Sequence, residues 1–419
     1  MVTTISRVTS LLLAVGILLI GHGLQLTLLP VYAQALGWST SAIGFSGSCY
    51  FLGFVVGCVL VPSIVVDVGH IRTFMVMGAI ATTSLLAAAL FVSLPAWVAF
   101  RFATGFALSG LYMVIESWLN EVSPAQQRGG VLAIYTMISL FAMALGQTLL
   151  LLRSPVDRDL FLLGASLLSI AIIPIGLTRI VSPQPPPTIR FALRDVLRAS
   201  PVAIVCASFA GLVIGAFWGL GPVLGRGFGL GPGRIGMMMS VGIVGGAIVQ
   251  LPIGRLSDRT DRRRVIGALM AAGAVFALLG WLFADAADTV LFAVIFCIGA
   301  ATMPVYALCI AHASDYAELS LVEVASSVLI AYSAGSIVGP ALAAGLMERF
   351  GPRAYFAYVL VCLAIASVWT FYRQLVKERA PAPAHAALLP KTTQVVAELS
   401  PQGNEPVGSD IDPQAPDRS

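Results

Sequence analysis

The densest charge in this chain lies in the stretch GRLSDRTDRRRV, from Gly254 to Val265, which holds five arginines and two aspartates. Elsewhere charge is scarce, since only 11% of the 419 residues are charged and 58% are hydrophobic. An aspartate at a helix end, such as Asp258, can pair with adjacent arginines and face the N-terminus of a neighbouring helix. The stretch therefore predicts an electrostatic latch between helices. The alternative is that its arginines only fix the orientation of the chain in a membrane, to which an aspartate adds nothing.

Single ionisable residues also interrupt long apolar stretches, where a charge is costly unless it is paired or hydrated. Arg101 is the strongest candidate. On a helix, the residues Arg101, Gly105, Leu108, Tyr112 and Glu116 fall within about 80° of one another. We expect this face to line a cavity. For Glu116, an interfacial carboxylate with a partner nearby is an equal alternative.

Other polar side chains at membrane depth could bind a substrate or carry a proton. His22 and Gln25 lie three residues apart on one side of a helix. His22 fits either a proton carrier or a buried neutral histidine, and the aromatic and amide residues fit either binding or helix packing. The predicted substrate or proton pathway consists of His22, Gln25, Arg101, Tyr112, Glu116, Gln147, Trp218, Gln250, Tyr306 and Tyr332.

Signs of an enzyme, a metal site or nucleic-acid binding are missing from the sequence. The four histidines are scattered, the six cysteines form no Cys-x-x-Cys pair, and there is no GxxxxGK[ST] phosphate loop. The net charge of +4 is small, which argues against nucleic acid as a partner. We therefore predict no catalytic residues, no metal and no cofactor.

Twelve apolar runs are long enough to cross about 30 Å of hydrocarbon, which takes about twenty residues each. The first run resembles a signal peptide but is too long, so we interpret it as an uncleaved span. The predicted spans are 9–32, 42–65, 72–93, 96–118, 130–152, 160–179, 201–224, 234–256, 265–284, 289–312, 323–346 and 354–374.

The distribution of arginine and lysine predicts the orientation of these spans. With a cytoplasmic N-terminus, the inner loops and tails hold seventeen of the 24 basic residues, the outer loops hold six, and Arg101 lies within a span. The positive-inside rule selects this topology. We expect an integral membrane protein in contact with lipid, with both termini in the cytoplasm.

The chain also repeats itself at an offset of 192 residues, which pairs Gly53 with Gly245 and Arg72 with Arg264. This indicates two pseudo-symmetric halves of six helices, residues 1–180 and 201–375. Between them, residues 181–200 begin with prolines and continue with alternating apolar residues and arginines, which predicts an amphipathic helix on the membrane surface. The Pro- and Ala-rich tail, residues 376–419, is predicted to be disordered.

On its motifs, the chain resembles the major facilitator superfamily of transporters. The match to the Gly-x-Leu-x-Asp-Arg-x-x-Arg-Arg loop consists of Gly254, Leu256, Asp258, Arg259, Arg262 and Arg263. The first-half copy departs from it, with Pro62 for the glycine and Val66 for the aspartate. The Arg-x-x-x-Gly of the fourth span matches Arg101 and Gly105, while Gly146-Gln147 stands where many drug/proton antiporters carry Gly-Pro. The strings GHIR, ESWLN and AHASD look like the YcaD-like branch of predicted bacterial transporters.

The resemblance implies the major facilitator fold, an all-α membrane protein of twelve transmembrane helices. It also implies a monomeric secondary transporter of a small organic solute, working by alternating access around a midplane site. We favour proton coupling, on the strength of Arg101, Glu116 and His22. The alternatives are a passive facilitator and a transporter-like receptor that binds its ligand without net transport. The predicted cytoplasmic gate consists of Asp67, Arg72, Gly254, Asp258, Arg259, Arg262, Arg263, His312 and Asp315.

Overall fold

A computed structural model describes residues 2–123, 128–177, 192–317 and 319–376, and these fold almost entirely into helices. Within them, twelve helical segments are long and apolar enough to cross a membrane, as predicted. The tail beyond residue 376 and the first part of the linker, through residue 191, lie outside the described residues. The helices are α1 (Val2–Ala35), α2 (Thr40–Val68), α3 (His70–Leu90), α4 (Leu94–Val122), α5 (Arg128–Thr148), α6 (Asp159–Ile170), α7 (Ile172–Gly176), α8 (Leu193–Ala199), α9 (Pro201–Gly227), α10 (Pro232–Arg259), α11 (Arg262–Phe283), α12 (Asp288–Thr302), α13 (Val305–Ser314), α14 (Leu321–Phe350) and α15 (Ala354–Val376).

Two of the predicted spans are interrupted. The sixth is divided between α6 and α7 at Ala171, and the tenth between α12 and α13 at Met303 and Pro304. Proline has no backbone N–H and its ring clashes with the preceding turn, so Pro304 suits the start of α13 but not the interior of a continuous helix. Hydropathy alone does not reveal such a break, because the residues around it stay apolar.

The helix ends follow local capping rules. Ser39 accepts a hydrogen bond from the backbone of Ala42 at the start of α2, and α2 ends at Gly69, whose φ of 86° favours glycine. Ser320 and Glu323 form a reciprocal capping box at the start of α14. These caps fix where each span turns back into the membrane.

The helical bundle has two ends, a linker end and a far end. The linker end carries α8 together with Gly69 and Asp261, and the far end carries the glycines of positive φ at Gly229 and Gly351. The outward faces between the two ends are strongly apolar. Met137 and Phe141 on α5, for example, are each 72% exposed. Such faces suit lipid rather than water as the surrounding solvent.

The repeat seen in the sequence recurs in the packing. Gly53 lies against the backbone of Phe102 where α2 crosses α4, and Gly245 lies against Phe296 where α10 crosses α12. Gly245 follows Gly53 by 192 positions and Phe296 follows Phe102 by 194. Because small residues let helix backbones approach closely, both halves use the same crossing.

The contacts that join the halves lie toward the far end. In the α2–α14 contact, Gly44 packs against Pro340, and the backbone N–H of Ser41 donates to Glu348 at 2.8 Å. In the α5–α10 contact, the hydroxyl of Ser240 donates to the carbonyl of Ala144 at 2.8 Å. All six residues lie on the far-end side of the midpoints of their spans. The halves are therefore joined tightly at the far end.

Candidate functional site

A cavity of about 190 Å³ lies between the two halves, near the middle of the spans. A water molecule needs only about 10–15 Å³ on the same measure, so the space suits a small organic molecule. No aspartate, glutamate, lysine or arginine is found among its described lining residues. These are Leu19, His22, Leu26, Tyr50, Phe51, Phe54, Tyr112, Ser139, Leu140, Met143, Ile214, Trp218, Gln250, Met303 and Tyr332.

The first-half wall of the cavity is positioned by the close crossing of α2 and α4. A Cβ atom on Gly105 would overlap the carbonyl oxygen of Tyr50, and one on Gly53 would overlap that of Phe102. Glycine at both positions therefore lets the two helices touch through their backbones. The crossing brings Tyr50 of α2 beside Arg101 of α4, one turn before Gly105.

Arg101 is buried behind Tyr50. Its guanidinium carbon lies 4.7 Å from the centre of the Tyr50 ring, a cation–π contact, and the residue is only 4% exposed. Arg101 forms no ion pair within the described part of the chain, and its Nη1 has no hydrogen-bond partner there. The guanidinium adjoins a smaller recess on the far-end side of the cavity, where Trp97 and Gly219 also lie.

His22 continues this polar group into the cavity. The Tyr50 hydroxyl lies 3.3 Å from Nε2 of His22, while Nδ1 of His22 has no partner among the described residues. Behind it, Nε2 of Gln25 donates to the hydroxyl of Thr104 at 3.4 Å. Arg101, Tyr50 and His22 thus form one polar cluster, which extends from the buried guanidinium to the cavity surface.

Glu116 lies in a separate place. It is fully buried, and its carboxylate accepts a hydrogen bond from the hydroxyl of Tyr135 on α5 at 2.9 Å. It does not line the cavity, although Tyr112, one turn earlier on α4, does. Of the residues on this predicted face of the fourth span, Tyr112 lines the cavity. Gly105 packs against α2, and Arg101 and Glu116 are buried.

The second-half wall is aromatic and apolar. Trp218 of α9 and Tyr332 of α14 lie on it with Met303, beside the break between α12 and α13. Tyr306 supports it from behind, with its ring centre 5.0 Å from that of Tyr332. Gln250 is the polar side chain of this wall. The cavity therefore has a polar side and an apolar side.

Half of the predicted pathway residues reach the cavity and half do not. Lining it are His22, Tyr112, Trp218, Gln250 and Tyr332, whereas Gln25, Arg101, Glu116, Gln147 and Tyr306 are buried behind its wall. Gln147, for example, accepts a hydrogen bond from Thr27 at 3.2 Å. Three further lining residues were not predicted, although their closely spaced aromatic rings on α2 were an available signal: Tyr50, Phe51 and Phe54.

At the linker end, the second half carries a buried ion-pair network. Arg262 is only 5% exposed and donates to Asp315 at 2.7 Å, to Asp258 at 3.0 Å and to Ser257 at 3.3 Å. Burial raises the pKa of the Asp315 carboxyl, although the Arg262 guanidinium acts in the opposite direction. The network ties α10, α11 and the end of α13 together within one half.

A second ion pair fixes the start of α11. Asp261 caps the helix by accepting from the backbone N–H of Arg263 at 3.0 Å, and it pairs with the Arg263 guanidinium at 2.8 Å. Burial alone would raise the pKa of Asp261, but the hydrogen bonds from Arg263 and the nearby His312 outweigh it, so this pKa lies below its usual value.

At the linker end of the first half, the two predicted gate residues are not paired in this way. Asp67 and Arg72 are exposed, and neither forms an ion pair within the described part of the chain. Of the remaining predicted gate residues, Gly254 is buried in α10 and Arg259 is exposed at its end. The described gate residues are thus linked to one another only in the second half.

Across the described residues, no group of three or more histidine, cysteine, aspartate or glutamate side chains is placed to hold a metal ion. Twelve spans in two symmetric halves around a central cavity define instead the architecture of a membrane transport protein.

Comparison with known proteins agrees with this architecture. A sequence profile of the Major Facilitator Superfamily matches residues 11–203 and 203–402. The chain belongs to this superfamily, which confirms the resemblance and the fold predicted from the sequence. It is therefore an integral membrane protein of a family of transporters, and the family points to transport of a small-molecule solute rather than to catalysis.

Relatives and solved structures are similar along most of their length. The chain is 27% identical over 367 residues to an uncharacterized MFS-type transporter YcaD of Escherichia fergusonii, covering 86% of this chain and 93% of the relative. For the same transporter of Escherichia coli O6:K15:H31 the identity is 28% over 380 residues, covering 88% and 95%. These relatives indicate a bacterial membrane.

Among solved structures, the nucleoside transporter NupG superposes with a TM-score of 0.70 at 16% identity, covering 88% of this chain and 99% of that one. A bacterial homologue of the human lysosomal transporter Spinster, in an inward-facing and occupied conformation, has a TM-score of 0.70 at 15% identity, covering 89% and 98%. At these identities the similarity concerns the fold.

Proposed function

We propose that this protein is a secondary active transporter that carries a small organic solute across the bacterial cytoplasmic membrane by alternating access. The observation that carries the proposal is the cavity between the halves, which lies at mid-depth and takes lining residues from both. A site shared by two halves changes its exposure when one half rocks against the other. In this proposal the halves are residues 1–180 and 201–375, they form a monomer, and no nucleic acid takes part.

In the proposed orientation, the linker end faces the cytoplasm and both termini lie there. The excess of arginine and lysine at that end supports it. Because the named contacts between the halves lie toward the far end, the structure then corresponds to a state closed to the outside. Cysteines placed at the exposed positions 72 and 259 of a cysteine-free variant should react slowly with an impermeant thiol reagent in intact cells, and one at the exposed position 234 rapidly. Rapid labelling at 259 would overturn the orientation.

Proton coupling is the part of the proposal that depends on the first half. His22 and the buried Glu116 both lie there, and both can exchange a proton. Arg101 and Glu116 are fifteen residues apart, about 22 Å along a helix, so they do not touch. Coupling between them would pass through water, the solute or a movement of the halves.

The proposed cytoplasmic gate is centred on Asp258, Arg262 and Asp315. In the present state Arg262 holds both aspartates within the second half. When the halves close at the linker end, the half-exposed Asp258 is available to face a helix N-terminus of the first half. The arrangement would then work as a latch that forms and breaks in each cycle.

The experiment that tests transport begins with a thermal-shift screen for solutes, because a ligand of the folded state raises the melting temperature. A solute found in this way is then offered to proteoliposomes with and without a pH gradient. A proton-coupled transporter accumulates it only with the gradient, and a passive facilitator equilibrates it in both cases. Binding without any flux would support a receptor and contradict transport. A protonophore serves as the control for coupling.

A further inference from the structure

The solute's charge can be inferred from the imbalance around Arg101. A buried guanidinium at membrane depth is costly unless a partner or water compensates it. Here Arg101 is 4% exposed, and the described chain supplies only the face of the Tyr50 ring and no carboxylate. The positive charge of Arg101 beside the cavity is therefore not balanced by any described carboxylate, and a bound anion could balance it.

The polar cluster leads from this charge to the cavity. Tyr50 lies between the guanidinium and the cavity, and its hydroxyl is 3.3 Å from Nε2 of His22. A neutral His22 that accepts from the Tyr50 hydroxyl at Nε2 carries its proton on Nδ1, and this nitrogen can donate a hydrogen bond to an anion. A carboxylate near these two side chains would lie within the field of Arg101 in a low-dielectric surrounding.

The opposite wall of the cavity indicates the chemical character of the rest of the solute. Trp218, Met303 and Tyr332 present aromatic and thioether surfaces, which favour a flat apolar body. No described lining residue is acidic, so an ammonium group on the solute would have no counter-charge. No arginine or lysine is among the described lining residues either, so a dianion would carry one charge more than Arg101 balances.

We infer that the solute is a small organic monoanion with one carboxylate-type group and an apolar, preferably aromatic, body, whose charge is balanced by Arg101. This inference rests on the proposed function, since it names the class of molecule that the central cavity carries. Amino acids, amines and cationic compounds are excluded by the same charge balance.

Matched probes of one shape and different charge test the inference. Phenylacetate and indole-3-acetate are compared with their neutral amides and with phenethylamine and tryptamine, by calorimetric titration of the purified full chain. We expect each acid to bind at least tenfold more tightly than its amide, and the amines not to bind. This comparison needs no variant, so it stands even if substitutions at Arg101 impair folding.

Substitutions then identify the balancing charge. Arg101→Gln should reduce the acid-over-amide ratio to near one, and Arg101→Lys should retain part of it, because lysine keeps the charge but loses the planar fork. Arg226→Gln is the matched control, since Arg226 is exposed at the far end and the ratio should not change. The melting temperature of each variant shows whether it is folded.

The outcomes separate this inference from the proposed function. Equal binding of acids and amides, binding of the amines, no binding of either acid, or an unchanged ratio in a folded Arg101→Gln variant would each overturn the inference. Flux of a neutral or cationic solute would still support transport. Conversely, acids that bind preferentially but never cross the membrane would support the inferred ligand class and contradict transport.

Discussion

The two halves share one backbone arrangement but differ in where their charged side chains are buried and paired. At mid-depth, the first half holds the cluster of His22, Tyr50 and Arg101, and the second half holds an aromatic wall. At the linker end, the second half holds the Arg262–Asp315 pair, whereas Asp67 and Arg72 of the first half are exposed. The repeated fold thus supports two different tasks, which we assign to solute and proton binding and to gating.

Symmetry-related positions show which side chains differ between the two halves. By the offsets of 192 and 194 that relate the glycine crossings, His22 corresponds to Ile214, Tyr50 to Gly242 and Arg101 to Ile295. Gly299 packs against the backbone of Gly242, as Gly105 packs against that of Tyr50. The crossing is therefore conserved between the halves while the polar side chains around it are not, so the packing does not require Arg101.

The largest effect is expected from removing Arg262. Arg262→Ala leaves Asp315, whose side chain is 9% exposed, as a buried carboxylate without its partner. Breaking such a pair from one side costs about 3–5 kcal/mol. The free energy of unfolding, measured by denaturant titration in mixed micelles, should fall by this amount.

The corresponding change in the first half provides the control. Arg72 is exposed and unpaired among the described residues, so Arg72→Ala should alter the free energy of unfolding by less than about 0.5 kcal/mol. Similar losses of unfolding free energy in both variants would contradict the difference in ion pairing between the linker ends of the two halves.

The next largest effect concerns transport. Arg101→Ala should lower proton-driven flux about a hundredfold, which corresponds to about 2.7 kcal/mol, because the charge beside the cavity is lost. Since the symmetry-related position holds Ile295, folding does not demand a charge there, and the melting temperature should change little. Flux and melting temperature are measured on the same proteoliposome preparations.

Two results would argue against this assignment. Full flux in a stable Arg101→Ala variant would remove Arg101 from the mechanism, and a poorly folded variant would indicate a structural charge. Ile295→Val, the conservative change at the equivalent position, should leave flux unchanged and cost about 0.5–1.5 kcal/mol of stability.

A smaller effect is expected at the proposed latch. Asp258→Asn removes a charge from the pair with Arg262 and should shift the population of states by about 1–2 kcal/mol toward the state open at the linker end. Spin labels on the linker-end faces of the two halves report the distance distribution. An unchanged distribution would indicate that the arginines of this loop serve only orientation.

The sequence predicted the parts of this molecule that depend on local composition. The spans follow from hydropathy, the halves from repeated glycines such as Gly53 and Gly245, and Arg101 from its isolation in an apolar run. The direction in which each side chain points was less predictable, because it depends on tertiary crossings. Glu116 contacts Tyr135 instead of the cavity for this reason.

Contacts between residues far apart in the chain could not be predicted from the sequence either. The pair between Arg262 and Asp315 joins residues 53 positions apart, and nothing local marks them as partners. Tyr50 was missed because its role comes from the contact with Arg101, which exists only where α2 crosses α4. Both cases are polar contacts that form after the helices have packed.

The smallest effect is expected at Asp261, and it depends on pH. Because the folded-state pKa of Asp261 lies below its usual value, the ionised carboxylate stabilises the fold above the pKa of the unfolded chain, and this contribution is lost as the pH falls through the folded-state pKa. Asparagine is also a good helix cap, so Asp261→Asn keeps the cap but loses the charge and the oxygen that accepts from the Arg263 guanidinium at 2.8 Å, and it should cost about 1 kcal/mol at neutral pH. Unfolding of both proteins is measured in mixed micelles from neutral to acidic pH.

The difference between wild type and Asp261→Asn should shrink on acidification and vanish once Asp261 is protonated in both states. Asp315 is the internal comparison, because its pKa is raised by burial and its contribution is therefore lost as the pH rises. Asp315→Asn should thus change the pH dependence in the opposite direction. If both variants changed it in the same direction, the two aspartates of this linker end would not differ in the way that their contacts with Arg263 and Arg262 require.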